Sequence, residues 1–235
     1  MTIGNGQLAK QFKSFEKKDD VVIFASGVAN SNCKDVNEFE REKTLLLHTL
    51  QNNREKKFVY FSSCALSAKE YTLNDYYIHK QNMEKIIKEY SNKYYIFRIP
   101  QLFGEIKKHP TLINYLFYAI KEEKEISIYK GAYRYVIDID DVLTIVTELV
   151  KHHKGEITLD IANTYRYSII EILEILEKLA GKKARYKMID KNDAYELDLS
   201  PLYSIISQYN IETNFGKSYL YDKIQNRITH TKESR

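Results

Sequence analysis

The chain has 235 residues, 43% of them hydrophobic, a formal net charge of +4 and two cysteines, Cys33 and Cys64. That length suits one α/β domain with a small appendage, or two small domains. Two cysteines exclude a disulfide framework and fit the reducing cytoplasm. No run of about 18 apolar residues offers a membrane span, and Met1-Thr2-Ile3-Gly4 lacks the charged and apolar regions of a signal peptide. The positive charge alternates with Glu along helical stretches such as Lys85 to Glu89 and Lys121 to Lys124, the pattern of solvated faces rather than of a nucleic-acid surface.

The short apolar start runs into Gly4-Asn5-Gly6-Gln7-Leu8-Ala9, a G-x-G-x-x-A turn, with a helix expected from Gly6 or Gln7 that carries Leu8 and Phe12 on one face. Glycines there permit a tight turn and the close approach of a pyrophosphate to a helix N-terminus, although such turns also simply join strands to helices. Val21-Val22-Ile23-Phe24-Ala25-Ser26-Gly27 reads as a strand buried on both faces and ending in small residues that leave room for a ligand. A helix from Val36 to Gln51 has Leu45, Leu46, Leu47 and Leu50 as its apolar stripe. Lys57 to Ser63 is a second buried strand, Asn74 to Tyr90 a helix, and Tyr94 to Ile99 a further strand stopped by Pro100. Strands alternating with helices predict a doubly wound parallel sheet.

Beyond Gly104 the pattern loosens. Leu112 to Ile120 reads as helix, Ile126 to Tyr129 and Arg134 to Ile139 as extended, and Asp140-Asp141 as the cap of a helix reaching Val150. Ile157 to Ile161 reads as strand, Ser168-Ile169-Ile170-Glu171 as a capping box opening a helix that Gly181 ends, and Ala184 to Ile189 as a short strand. Pro201 starts a last helical turn or two, and the polar stretch from Thr229 is expected to fray.

One constellation carries chemistry. Tyr76 and Lys80 stand four apart and share a helix face, and Ser63 ends the strand before that helix. An ammonium beside a phenol lowers its pKa from about 10, and a nearby hydroxyl can hold the same substrate oxygen. Such a set moves a proton on or off a carbinol oxygen while hydride moves to or from a nicotinamide. With 20 tyrosines in the chain the spacing also arises by chance. Tyr77 competes for the role, but its partner position is Gln81. No metal-ligand pattern is present.

Taken in order, Gly4-x-Gly6-x-x-Ala9, Val21 to Gly27, Phe58 to Ser63, Tyr76-x-x-x-Lys80-x-x-x-Glu84, Phe97 to Gly104 and Arg134 to Val142 resemble the extended short-chain dehydrogenase/reductase family, and within it the sugar-nucleotide epimerases, dehydratases and ketoreductases. The resemblance covers residues 1 to 185. It implies a Rossmann-like domain over 1–104 and about 132–165, and a small substrate-binding region over 105–131 and 166–235. It implies Tyr76 as acid/base, Lys80 as its pKa-lowering partner and ribose contact, and Ser63 on the reacting oxygen. Gly4, Asn5, Gly6, Gln7, Leu8, Ala25, Ser26, Gly27 and Pro100 would line NAD or NADP, with Cys64, Gln101 and Arg134 on the substrate. Gln101 replaces the family's usual asparagine, and Arg134 has the fork for a diphosphate.

Two departures accompany the resemblance. The 4,6-dehydratases follow the serine or threonine with an Asp-Glu pair, where this chain has Cys64-Ala65, which disfavours elimination. The span from Gly6 to Ser26 leaves no room for two strands and helices of the full fold, so either the block before Val21 is absent or Val21 to Ser26 is the second strand and a later block is absent; either way the acid for the adenosine ribose is missing. The resemblance implies an NAD(P)-dependent epimerase or ketoreductase of a nucleotide sugar in surface-polysaccharide synthesis, cytoplasmic and homodimeric. A non-catalytic nucleotide-sugar-binding or complex-forming relative is the alternative. Ile78, Met83 and Ile86 are compatible with a dimer face.

Overall fold

The computed structural model describes residues 1–68, 73–109 and 111–233, with side chains through 229. In chain order the elements are β1 (Thr2–Ile3), α1 (Gln7–Gln11), β2 (Val21–Phe24), α2 (Val36–Gln51), β3 (Lys57–Ser63), α3 (Asp75–Tyr90), β4 (Tyr94–Ile99), β5 (Gln101–Phe103) and α4 (Leu112–Lys121). There follow β6 (Glu125–Arg134), β7 (Val136–Asp138), α5 (Ile139–His152), β8 (Ile157–Asp160), β9 (Tyr167–Ser168), α6 (Ile169–Ala180), β10 (Arg185–Asp193), α7 (Ser200–Gln208) and α8 (Tyr219–Glu233). They form two compact units, one of residues 1–99, 142–161 and 197–211, the other of 100–141, 162–196 and 212–235.

The first unit is the expected Rossmann-like α/β layer: a parallel sheet in the order β1-β2-β3-β4-β8. β2 and the middle of β3 are buried on both faces, as their unbroken apolar runs require. Side-chain alternation sorts the helices between those faces. Val22, Phe24, Phe58, Tyr60 and Ile96 meet Leu46 and Leu50 of α2 and Met83 and Ile87 of α3. Phe61, out of phase with them, instead meets Phe12 just after α1, ring to ring at 5.4 Å. Also out of phase are Lys57 and Tyr95, which donate to the carbonyls of Val150 at the end of α5 and His153 just beyond it. So α2 and α3 cover one face, and α1 and α5 the other.

This arrangement has a topological signature. The steps β1 to β2, β2 to β3 and β3 to β4 all run in one direction across the sheet, yet α1 lies on the face opposite α2 and α3. The first connection therefore has the opposite hand to the next two. Parallel crossovers are right-handed in about 98% of cases, which makes the β1–α1–β2 step left-handed. In the doubly wound order, the helix after strand 1 leads to a strand on its far side, and strand 4 lies on its near side. Here β2 takes the place of strand 4, beside both β1 and β3. Among the described residues no strand lies on the far side of β1. Of the two ways to place the missing block, the structure has the one between β1 and β2.

The second unit joins β6 in parallel to β10 and antiparallel to β9, with β5 and β7 as a separate parallel pair. Its core gathers Phe103, Phe117, Ile120, Ile172, Leu176 and Tyr219, all buried. The capping box forms as read: the Ser168 hydroxyl accepts from the Glu171 N–H, and the Glu171 carboxylate accepts from the Ser168 N–H. Gly181 ends α6 at φ 67°. Two expectations are corrected. β6 is one long strand rather than a short one, because β10 pairs with it along its length. The C-terminal stretch does not fray at Thr229 but continues as α8 to Glu233. α8 is pinned within its unit, where Arg227 forks onto Asp138, and Lys223 and Tyr219 bond Asp141.

Candidate active site

A cleft of about 440 Å³ opens at the ends of β1 and β2, lined by residues 4–6, residues 25–27 and Arg41. Gly4 stands at φ +125°, and a Cβ there would come 2.4 Å from the Ala25 carbonyl oxygen, so only glycine lets the two strand ends approach. A Cβ on Gly6 would meet nothing within 4 Å and would project into open space. Gln7 follows, its amide Nε2 buried without a partner among the described residues. Asn5 is exposed, and Leu8 and Ser26 are half-buried. α1 spans only five residues before passing into a 3-10 turn over Lys13–Lys17. The glycines on the lining leave the room that a diphosphate needs. No carboxylate lines the cleft, so nothing there matches the acid that would take an adenosine ribose.

Below the cleft lies a buried polar cluster centred on Glu42 of α2. Its carboxylate is fully buried and accepts from the Val28 N–H at 2.7 Å, the Tyr60 hydroxyl at 2.7 Å, His79 Nε2 at 3.0 Å and Lys80 Nζ at 3.0 Å. Burial alone would raise the Glu42 pKa; the Lys80 charge, the His79 hydrogen bond and the other donors outweigh it and hold it at about 2. Lys80 Nζ also donates to the Tyr60 hydroxyl at 3.0 Å, so two of its three N–H groups are bound among the described residues. Gly27 rests directly on this pair, for a Cβ there would lie 2.5 Å from Lys80 Nζ. The floor of the cleft and the helix bearing Tyr76 thus share one carboxylate.

Tyr76 packs in a small cluster with Val28, Ala65 and Tyr77, and Lys80 Nζ sits 5.8 Å from its ring centroid. Ala65, in contact with that cluster, donates its N–H to Ser63 Oγ two residues earlier, at 3.4 Å. The Tyr76 hydroxyl has no hydrogen-bond partner among the described residues. Burial, then the neighbouring Tyr77 and Glu42, push its pKa above the ordinary phenol value. The resemblance implies a lysine that pulls it down; burial instead pushes it up, and Lys80 Nζ is hydrogen-bonded to Glu42 and Tyr60.

Cys64 is fully buried, its thiol donating to the Arg98 carbonyl, and burial pushes its pKa well up. Its side chain faces the interior. Glu84 forks with Arg98 at 2.9 and 2.6 Å, a structural pair. Pro100 and Gln101 are half-buried, and the Gln101 N–H donates to the Tyr135 carbonyl. Arg134, at the end of β6, donates to the Asp193 carboxylate and to the carbonyls of Asp193 and Tyr133. Met83 is buried in the core and Ile86 packs against it, so of the three positions considered for a dimer face only Ile78 is exposed.

Sequence reasoning missed Glu42, Tyr60, His79 and Arg41. Glu42 carried a signal: it stands four before Leu46 and eight before Leu50, on the stripe that faces the sheet. Arg41 reads in sequence as one more charge on a solvated helix.

Among solved structures, UDP-glucuronic acid 4-epimerase of Bacillus cereus, solved with UDP-glucuronic acid and NAD, is 18% identical at a TM-score of 0.73, over 98% of this chain and 80% of that one. UDP-N-acetylglucosamine 4-epimerase of Bacillus cereus matches at 18% identity and 0.73, over 97% of each chain. dTDP-glucose 4,6-dehydratase of Bacillus anthracis, solved with NAD, matches at 14% and 0.72, over 97% of this chain and 78% of that one. No curated protein matches. At such identities the likeness speaks for the fold. The model of the family described as NAD dependent epimerase/dehydratase matches residues 4–162, well over half the sequence, and the chain belongs to that family.

Proposed function

We propose that the chain is an NAD(P)-dependent oxidoreductase acting on a nucleotide-activated sugar, of epimerase or 4-ketoreductase type, in surface-polysaccharide synthesis. The observation that carries this reading is unspent donor capacity beside an open glycine-lined cleft. The Tyr76 hydroxyl is unpartnered among the described residues, Ser63 Oγ accepts a single long bond, and Lys80 keeps one N–H. A bound nicotinamide would supply hydride acceptance and donation. Residues 4–6 and 25–27 would hold its diphosphate, Lys80 would reach the adjoining ribose, and Ser63 would bind the reacting oxygen. Tyr76, kept protonated by burial, would give its proton to a substrate carbonyl oxygen and take it back in the reverse direction. With Cys64-Ala65 after Ser63, no carboxylate stands there for elimination, so a 4,6-dehydratase is not proposed. The soluble-enzyme setting and a homodimer belong to the same proposal.

The Glu42–Lys80 pair favours a second reading, a nucleotide-sugar-binding relative whose lysine charge is cancelled. One experiment separates the two. Thermal unfolding is followed with NAD(H) and NADP(H), with and without UDP, dTDP and GDP sugars. At a hundredfold excess over Kd a ligand stabilises by about 2.7 kcal/mol, or roughly 5–10 °C here. A shift with turnover that Tyr76→Phe lowers by about 10²–10⁴-fold, binding unchanged, supports the enzyme. A shift without turnover leaves the binder, no shift with any dinucleotide overturns the enzyme, and no shift with any dinucleotide or nucleotide sugar overturns both.

A further inference from the structure

We propose that Glu42 is a positioning residue for the reaction: its one carboxylate fastens Lys80 beneath Gly27 and fixes the adjoining floor of the cleft. The inference rests on the function proposed above and gives a task to a residue which that reading leaves unassigned.

The two carboxylate oxygens divide the work. Oε1 accepts from Lys80 Nζ at 3.0 Å and from the Tyr60 hydroxyl at 2.7 Å, and that hydroxyl itself accepts from Lys80 Nζ at 3.0 Å. The three groups close a triangle that leaves the ammonium one seat. Oε2 accepts from the Val28 N–H at 2.7 Å, directly after the cleft residues 25–27, and from His79 Nε2 at 3.0 Å. The His79 ring stacks at 4.6 Å on Phe39, one turn before Glu42 on α2, which braces the pair. Gly27 completes the fit, since a Cβ there would come 2.5 Å from Lys80 Nζ and 2.9 Å from Glu42 Oε1. Stability alone does not call for a charge here, because well-packed apolar side chains commonly replace a buried ion pair without loss. What apolar side chains cannot do is hold an ammonium, still charged, at one point under the cleft floor.

The groups that face Lys80 are Glu42 from α2, Tyr60 from β3, and Tyr76 and His79 from its own helix. Glu84, one turn on, is taken up by Arg98 of β4. Burial keeps both phenols neutral, so Glu42 is the one negative charge in contact with the lysine. Without it, a buried ammonium sheds its proton more readily as pH rises.

The test is steady-state turnover and dinucleotide titration of the intact chain between about pH 6 and 10, with urea unfolding of each variant. Glu42→Gln should lower kcat about tenfold to a hundredfold and add an alkaline limb to the pH profile that the wild type lacks. Glu42→Asp keeps the charge a methylene short, so it should restore the wild-type profile and only part of the rate. Leu46→Ala, one turn on along α2, weakens the fold without touching the carboxylate, and should keep the wild-type profile and rate while folded. Gly27→Ala presses only on the flexible tips of Lys80 and Glu42; it should unfold close to wild type and still lose turnover. Joined to Glu42→Gln it should cost little more than the larger single effect, because both unseat one lysine. A Glu42→Gln enzyme with unchanged rate and profile, a loss that Leu46→Ala reproduces, or full turnover in Gly27→Ala overturns the assignment and leaves the proposed function standing. If Glu42→Gln does not fold, Glu42→Asp and Gly27→Ala decide the matter by the same criteria. A wild-type chain without turnover overturns the proposed function, and this inference with it.

Discussion

Glu42→Gln keeps the shape of the buried side chain and removes its charge, leaving Lys80, 3% exposed, without a counter-ion. Two routes give the magnitude. The carboxyl sits at about 2 in the fold against 4.5 for the unperturbed group, and that depression corresponds to about 3 kcal/mol of stability. Removing one partner of a buried pair costs about 3–5 kcal/mol independently of that route. The sign follows from a depressed carboxylate: its contribution is complete above pH 4.5 and is lost as pH falls toward 2. Urea unfolding should thus show Glu42→Gln about 3 kcal/mol less stable at pH 7, with the gap closing in acid as the wild-type carboxyl takes up its proton. Glu42→Gln combined with Lys80→Met should recover much of the loss, because no uncompensated charge remains. A loss below about 1 kcal/mol at pH 7, or a gap that persists unchanged to pH 2, refutes the reading of this cluster as a charge-balanced unit.

Two further outcomes follow from the same corner. Gly4→Ala forces a side chain into a left-handed backbone with a carbonyl oxygen 2.4 Å away, and should cost about 2–3 kcal/mol in thermal or urea unfolding. Gly6→Ala meets no protein atom, so it should unfold like wild type yet bind dinucleotide at least about tenfold more weakly by titration, since its methyl occupies ligand space. Labelling with a thiol-specific disulfide reagent should modify Cys33 quickly and Cys64 only after unfolding, giving one reactive thiol in buffer and two in urea; both are free, and only Cys64 is buried.

The legible parts of this protein were those coded locally. β2, β3 and β4 announce themselves as unbroken apolar runs, α2 and α6 by their stripes and caps, and Tyr76 and Lys80 by a spacing that puts both on one face of α3. Illegible were the features that depend on which elements become neighbours. β6 looked short because its pairing comes from β10, fifty residues on, and the end of α8 looked frayed because Asp138 and Asp141, which pin it, lie about eighty residues upstream. Glu42 was passed over for the same reason. Between Glu40, Arg41 and Lys43 it looks solvated, and only the convergence of the loop at Val28, the middle of β3 and the face of α3 makes it the most heavily bonded carboxylate at the site. The expectation for Lys80 erred through that omission, since the charge credited to Tyr76 is spent on a neighbour that spacing does not reveal.

The left-handed step from β1 to β2 also bears on how the N-terminal segment assembles. Residues 2–17 run against the right-handed preference and are held where Phe12, packed on Phe15, meets Phe61 of β3. They form the edge of the sheet, with β2, β3 and β4 contiguous beyond them. The seam at residues 18–20 is correspondingly the one place where the chain could be lengthened by a pair of strand–helix units without rethreading anything else. Such an insertion would carry α1 onto a right-handed path, give β1 a second neighbour and convert a margin of the sheet into its middle.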